Sequence, residues 1–480
     1  MTMHVLSRRR APLLVAAGLL LLPACSTSEA ADEEASEPGP HWTFVSRPDL
    51  TPPKVTVTGT PRAEDGTVLA LGPKGDDAPH TGPLLVDAAG EPLWVHPTEG
   101  SAFDVRIQEY QGEPVLTWWE GEQEIGVGWG EFHIVDTSYE EVATVTTGGD
   151  VGSGQADFHE GRLTPEGTML IPAYVAEPAD LTSVGGPEDG WVYDNLIQEV
   201  DVATGEVVFE WSARDHVPLE ETASEFEEGE GTEEDPFDWF HVNSMSVDAD
   251  GSLLVSARNT WAVYDLDRTT GEVLWTLGGE GSDFAMGPGT EFAWQHDAER
   301  QPDGTLTLFD NQSEPDVGPV SRGLRLALDE TARTATLVTE YLPPDDDRLA
   351  GSQGSFQQLP DGTVVVGWGS RSFWSEFAPD GTLRYDAALG SGDNYRADRA
   401  PWTGRPTTDP DAVRDGDTVF ASWNGATEVA AWRLVADGVE ADPVPRDGFE
   451  TELPVPEGAD ELRVEALDDA GEVIGAAEVG

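Results

Sequence analysis

Phe237-Asp-Trp-Phe-His-Val-Asn-Ser-Met-Ser-Val-Asp-Ala-Asp-Gly-Ser-Leu-Leu-Val-Ser-Ala-Arg-Asn-Thr260 reads as two short strands about a turn. Asp248-Ala-Asp250-Gly251 supplies the turn, because glycine tolerates the left-handed conformations that tight turns need. Val247 before it and Leu253, Leu254 and Val255 after it are strand formers. Folding the stretch about this turn brings His241 level with Arg258. Asn243 lies two residues from His241 on the same strand, so its side chain is expected on the same face. An imidazole, an amide and a guanidinium thus group at one end of a hairpin, as an anion-binding surface requires. A polar hairpin end that only satisfies its own hydrogen bonds is the plainer reading.

Two other stretches favour the site. Phe292-Ala-Trp-Gln-His-Asp-Ala298 precedes Gln301-Pro-Asp-Gly304 and a strand from Thr305. Ala156-Asp-Phe-His-Glu160 precedes Thr164-Pro-Glu-Gly167 and a strand from Thr168. In both, a histidine stands eight residues before the turn glycine; His241 stands ten before Gly251. Of nine histidines, His159, His241 and His296 therefore share one structural position.

That position belongs to a repeat. Turn-and-strand units recur at Glu64-Asp-Gly-Thr-Val-Leu69, Pro165-Glu-Gly-Thr-Met-Leu170, Asp250-Gly-Ser-Leu-Leu254, Pro302-Asp-Gly-Thr-Leu306 and Pro360-Asp-Gly-Thr-Val364, with a degenerate copy near Phe103. A second element follows as Asp87-Ala-Ala-Gly-Glu-Pro-Leu-Trp94, Asp201-Val-Ala-Thr-Gly-Glu-Val-Val-Phe-Glu-Trp211 and Asp267-Arg-Thr-Thr-Gly-Glu-Val-Leu-Trp275. Six units, each long enough for four strands, predict an all-β chain whose main part is a six-bladed β-propeller over residues 42–400. The first strand of each blade lies nearest the axis, so the three histidines converge from the third, fourth and fifth blades. In the fifth hairpin, Asp310 or Asn311 comes level with His296, where either can fix its tautomer. Three histidines also suit zinc, but no carboxylate of ligand spacing accompanies them and Arg258 repels a cation. No metal or cofactor is expected.

The ends read differently. Arg8-Arg9-Arg10, an apolar run from Ala11 to Leu22, and Leu22-Pro23-Ala24-Cys25 resemble a bacterial lipoprotein leader over residues 1–24. The resemblance implies a lipid on Cys25 and a membrane-anchored, extracytoplasmic protein. The run is too short to span a bilayer itself. Residues 25–41 are polar and acidic, as a tether is. Cys25 is the only cysteine, so the folded part has no disulfide, no thiolate zinc site and no thiol nucleophile. Aspartate and glutamate number 92 against 26 lysines and arginines, a field that repels nucleic acid. The segment Leu219 to Pro236 holds nine of these carboxylates without an apolar period and is expected as a solvated loop beside the channel. Asn394-Tyr-Arg-Ala-Asp-Arg-Ala-Pro-Trp402 reads as a linker that docks on the propeller. Alternating strands after it predict a small fibronectin-like β-sandwich over residues 401–480, without catalytic residues.

Trp239-Phe-His-Val-Asn-Ser244, Ser256-Ala-Arg-Asn259, Phe292-Ala-Trp-Gln-His-Asp-Ala298 and Leu308-Phe-Asp-Asn311, in that order, resemble the bacterial and fungal arylsulfotransferases that use no nucleotide sulfate donor. The likeness runs from about Phe44 to Trp402. It implies a six-bladed propeller that moves a sulfuryl group from a phenolic sulfate ester to another phenol, ping-pong, through a sulfohistidine. It implies that His296 is the nucleophile and that His159, His241, Asn243 and Arg258 surround the sulfuryl group. Some enteric relatives carry a disulfide, which this chain cannot form. The residue chemistry agrees independently. A neutral imidazole is a competent nucleophile near pH 7. Arg258 and Asn243 offer donors to the charge that spreads over sulfuryl oxygens. His241 or His159 can protonate the departing phenolate. The alternatives are a non-catalytic lipoprotein propeller that scaffolds or binds ligand, and a quinone-dependent dehydrogenase, which would need more blades and a vicinal cysteine pair.

Overall fold

The structure, a computed structural model, describes residues 39–480 apart from 62–64, 76, 125 and 346–347. The expected leader, Cys25 and most of the tether lie outside the described residues. Among the described residues no helix is long and apolar enough to cross a membrane. The described residues are nearly all β: one short α-helix, Ala213–His216, and three single 3-10 turns interrupt the strands there.

Among the described residues six sheets of four or five strands follow one another along the chain, antiparallel throughout except for Ala285–Met286, which pairs parallel with the start of Thr334–Tyr341. The first holds Thr67–Leu71, Leu84–Val86 and Pro92–Val95; the second runs from Ala102–Tyr110 to Glu141–Val145; the third from Arg162–Leu163 to Val207–Ser212. The fourth runs from Val242–Val247 to Val273–Gly278, the fifth from His296–Arg300 to Thr334–Tyr341, and the sixth from Ser355–Gln358 to Leu383–Leu389. The repeated turn residues explain the hairpins. Gly251 sits at φ 91° while Asp250 Oδ1 accepts the Ser252 N–H at 3.0 Å. Asp267 Oδ1 likewise accepts the N–H groups of Thr269 and Thr270, both at 2.8 Å. These side chains satisfy backbone donors that the strands leave unpaired.

The apolar faces of neighbouring sheets share cores in a cyclic order. Leu85 and Trp94 of the first sheet pack with Leu116 and Trp118 of the second. Trp119 and Phe132 pack with Met169 and Ile171 of the third. Ile197 of the third packs with Val255 and Tyr264 of the fourth. Leu254 and Leu277 pack with Leu306 and Leu326 of the fifth, and Phe309 and Tyr341 with Phe356 and Val366 of the sixth. Val365 and Trp374 of the sixth return to Leu69 and Leu84 of the first. Complete burial of a ring such as Phe240 stabilises the fold by roughly 2–3 kcal/mol, so these six seams hold the sheets together.

The two ends of this array are exchanged. Val55–Gly59 joins the sixth sheet beside Leu383–Leu389, and Asp398–Pro401 joins the first sheet beside Thr67–Leu71. Residues 394–402 thus do more than dock as a linker, since Asp398–Pro401 is itself a strand of the first sheet. Asn394, Tyr395, Arg396 and Ala397 are buried one after another ahead of that strand, and only in the strand itself does buried Arg399 alternate with half-buried Asp398 and Ala400.

Beyond Trp402, strands Asp411–Asp415, Thr418–Ser422 and Glu450–Pro454 form one sheet, and Ala431–Ala436, Leu462–Leu467 and Val473–Glu478 the backbone of another. Val419, Trp432, Leu434, Leu453 and Val464 make their common core. The acidic segment is less free than its composition suggests. Its Phe226 and Leu219 pack against the core between the third and fourth sheets, and Ala223 N–H donates to Asn259 O at 2.6 Å.

Candidate active site

His159, His241 and His296 stand where the first strands of the third, fourth and fifth sheets begin, and each is at most 8% exposed. The fourth hairpin closes at its end through Arg258 N–H donating to His241 O at 2.9 Å. The backbone around the three rings is twisted into the left-handed region, at His241 (φ 58°), Trp294 (φ 58°), Asp297 (φ 55°) and Gln353 (φ 65°). Each such residue costs on the order of 1–3 kcal/mol, and the clustering of four marks this region as the strained part of the fold.

The proton on His296 can be placed. Asn311 Nδ2 donates to Ala350 O at 3.1 Å and to Gln353 O at 2.9 Å, which turns Asn311 Oδ1 toward the imidazole. His296 Nδ1 then faces Asn311 Oδ1 at 2.8 Å and Trp294 O at 3.1 Å. Both are acceptors, so Nδ1 carries the hydrogen and Nε2 holds the lone pair. That lone pair accepts the Gln353 N–H at 3.2 Å. Burial, with Arg258 close by, pushes the His296 pKa well below the usual imidazole value, so the ring is neutral. Of the two residues that came level with His296 in the sequence, Asn311 is its partner. Asp310 instead accepts the Ala293 N–H and pairs with Arg322.

His159 and His241 form a pair. Their Nε2 atoms lie 3.1 Å apart. His159 Nδ1 faces Asp157 Oδ1 at 2.5 Å, and His241 Nδ1 makes a short contact with Asp238 Oδ2. With both Nδ1 atoms donating to carboxylates, a hydrogen bond between the Nε2 atoms requires that one of them carry a proton. Burial pulls the His241 pKa below the usual imidazole value against the opposing pull of Asp238. The carboxylates stand two and three residues ahead of their histidines, in the Asp-Phe-His and Asp-Trp-Phe-His stretches, and sequence reasoning passed over them.

Arg258 lies with its Cζ 4.7 Å over the Trp294 ring, donates from Nη1 to Asn259 Oδ1 at 2.9 Å and from Nη2 to Gly351 O at 3.0 Å. Burial lowers its pKa from the arginine value, and Asp238 and Glu314 raise it. Asn243 is turned elsewhere than the strand alternation implied. The register shifts between Val242 and Ser244, and Asn243 Nδ2 donates to Gln295 O at 2.7 Å. Its Oδ1 is buried without a partner. No group of three His, Cys, Asp or Glu among the described residues is arranged to hold a metal ion.

A cavity of about 470 Å3 opens beside the pair. Trp129, Tyr174 and Tyr193 give it aromatic walls, and Glu230, Asp235 and Asp238 lie on its acidic side. The Tyr174 ring is 5.7 Å from His241 and 6.0 Å from His159, and its hydroxyl donates to Val242 O at 2.7 Å. The site thus combines a neutral imidazole with a defined lone pair, a second pair of imidazoles in contact and a fixed guanidinium; the cavity adjoins it through Tyr174 and Asp238 but is lined by none of the three histidines.

No curated protein matches the chain. Among solved structures, a protein of unknown function from Bacteroides caccae is 12% identical with TM-score 0.41, covering 70% of this chain and 99% of its own. TolB from Acinetobacter baumannii is 13% identical with TM-score 0.41, covering 71% and 68%. Virginiamycin B lyase from Staphylococcus aureus, solved as an inactive variant with quinupristin, is 10% identical with TM-score 0.36, covering 78% and 97%. Likeness at that level says nothing about the chemistry of the site. Residues 106–390, by contrast, match the family described as arylsulfotransferase (ASST). That match takes in more than half of the chain and all three histidines, Arg258 and Asn311, and the protein is a member of the arylsulfotransferase family.

Proposed function

We propose that the protein transfers a sulfuryl group from a phenolic sulfate ester to a second phenol through a covalent adduct on His296. The observation that carries this reading is the lone pair on His296 Nε2, fixed by Asn311 Oδ1 and Trp294 O at the other ring nitrogen. In the first half-reaction Nε2 attacks sulfur, an N–S bond forms, and the S–O(aryl) bond breaks with its electron pair leaving on the phenolate. The His159–His241 pair supplies the proton that this phenolate takes up. The sulfurylated ring becomes formally cationic, and its Nδ1–H is already held by two acceptors. In the second half-reaction the incoming phenol gives its proton back to the pair and attacks sulfur, and the N–S electrons return to Nε2. Arg258 donates to the sulfuryl oxygens as negative charge spreads over them, in the way preorganised donors stabilise phosphoryl transfer. Protons and electrons balance without a nucleotide, metal or redox cofactor.

Six sheets with six shared cores in cyclic order, and two exchanged end strands, support a six-bladed propeller over residues 42–400 in this reading. The two later sheets about one core support a β-sandwich over 401–480. The test is a chromogenic aryl sulfate with and without added phenol, then mass spectrometry of the protein after donor alone, quenched at alkaline pH. Phenol-dependent turnover and a sulfuryl adduct on His296 are expected. An adduct on another residue, or no turnover with any aryl sulfate, counts against the reading.

The reading extends to location. The Leu-Pro-Ala-Cys25 motif supports a lipid anchor outside the cytoplasm. Cys25→Ser is then expected to shift the protein from the membrane fraction to the soluble or unprocessed fraction. Equal membrane retention of both forms would refute the anchor.

A further inference from the structure

Beneath the histidines lies a closed cage of ions. Arg106 Nε pairs with Asp104 Oδ1 at 2.8 Å, and its Nη2 with Glu160 Oε1 at 3.1 Å and Asp297 Oδ1 at 3.3 Å. Arg396 repeats the pattern. Its Nε pairs with Asp104 Oδ1 at 2.8 Å, its Nη2 with Glu160 Oε2 at 3.1 Å, and its Nη1 with Asp297 Oδ1. Two guanidiniums thus each bridge the same three carboxylates. Asp104, Arg106, Glu160 and Arg396 are all buried, and the Asp297 side chain is 15% exposed. Pairs so deep gain little net stability over an apolar packing of the same volume, because desolvation offsets the attraction. Their arrangement therefore calls for another explanation.

The connections supply one. Glu160 follows His159 in the chain and Asp297 follows His296. Arg396 Nη2 also donates to His159 O at 3.1 Å, and Tyr395 Oη donates to the same carbonyl at 3.1 Å. Asp104 Oδ2 accepts the Gly161 N–H at 2.8 Å, and Asp297 Oδ2 accepts the Phe356 N–H at 2.8 Å. The left-handed φ at Asp297 lies directly beside this anchor. The cage thus grips the chain on the far side of both histidines. We propose that Arg396, with Arg106 beside it, is a positioning residue that fixes His159 and His296 relative to one another. The role rests on the sulfuryl-transfer reading for what the histidines do. The grip on the histidines does not. Arg396 lies just ahead of the strand that completes the first sheet, so binding geometry and closure of the sheet array depend on the same short segment.

The experiment compares wild type with Arg396→Met, Arg396→Lys and Tyr395→Phe. It measures kcat and KM for an aryl sulfate donor and the imidazole 15N resonances of the free protein. Displacement of the two rings by about 1 Å predicts a fall in kcat of roughly 100-fold in Arg396→Met, with KM changed far less. His159 and His296 resonances should move, and Arg396→Lys should recover part of the loss. Tyr395→Phe keeps the ring packing and removes one donor, so a several-fold fall in kcat and a shift at His159 are expected. If Arg396→Met does not fold, the Lys and Phe variants decide by the same readouts. Unchanged kcat together with unmoved histidine resonances in the folded variants overturns the proposal. Should wild type turn over no aryl sulfate, the sulfuryl-transfer reading fails. The resonances still decide the cage: a shift upholds it and none removes it.

Discussion

His296→Ala should bind an aryl sulfate and release no phenol from it. In the proposed mechanism the imidazole forms the covalent bond, and removal of a nucleophile from a covalent mechanism lowers kcat by at least about 10⁴-fold. Donor affinity should change little, because the guanidinium of Arg258 keeps its own contacts with Asn259, Gly351 and Trp294. The wild-type pH profile offers a second view of the same residue. Burial, and then Arg258, depress the His296 pKa well below 6.5. The Nε2 atom therefore stays unprotonated across neutral pH and as pH falls through 6.5, where an ordinary imidazole would be half protonated. Single-turnover phenol release from saturating donor should show no acid limb near 6.5 that belongs to the nucleophile. The same shift acts on stability. The unfolded chain takes up this proton at 6.5 and the folded one only at lower pH, so the contribution of His296 is present above 6.5 and is lost as pH falls toward the folded value. Stopped-flow phenol release by His296→Ala, at the wild-type rate, is the result that would sink the assignment.

The parts of this site that the sequence makes legible are those fixed by a turn. A glycine at a set distance locates His159, His241 and His296, because hairpin register follows from the turn. The same register brings Arg258 to His241, but it misses by a residue or two at His296, which the turn was expected to set level with Asp310 or Asn311 and which pairs with Phe309. What escaped notice lies where strand alternation breaks down. At Asn243 the register slips, so an argument from residue parity aims its amide at the wrong neighbour. Asp157 and Asp238 precede the strands, and the left-handed backbone at His241 helps decide where the ring meets its carboxylate. Gln353 reaches His296 through its backbone N–H, which no side-chain pattern reveals. The segment around Arg396 was hidden by its charge. A buried segment is expected to be apolar, and this one carries Arg396 because its partners are the carboxylates at positions 104, 160 and 297.

Arg258→Lys should lose roughly 10²- to 10³-fold in kcat although the charge is kept. The guanidinium is held by three features of the site. Nη1 is spent on Asn259, Nη2 on the Gly351 carbonyl, and the planar face lies over Trp294. Those contacts set the direction of the N–H groups that remain. A lysine ammonium is a compact point charge with three donors on a flexible stem, and it cannot keep the Asn259 and Gly351 bonds while donating to two sulfuryl oxygens. The cost should fall on kcat more than on KM, because charge grows on those oxygens as the S–O bond breaks. The surroundings sharpen the requirement. The chain carries 92 acidic against 26 basic residues, and among the described residues no carboxylate lies within ion-pair distance of Arg258. Asp238 and Glu314 act on its charge only from beyond that distance, which leaves the guanidinium open to an anionic donor. Arg258→Met removes that charge as well, so KM for the donor should rise there in addition to the fall in kcat. Steady-state kinetics of the two variants separate the effects. A lysine variant with wild-type kcat would mean that charge alone suffices and that the fork of donors has no part in the transfer.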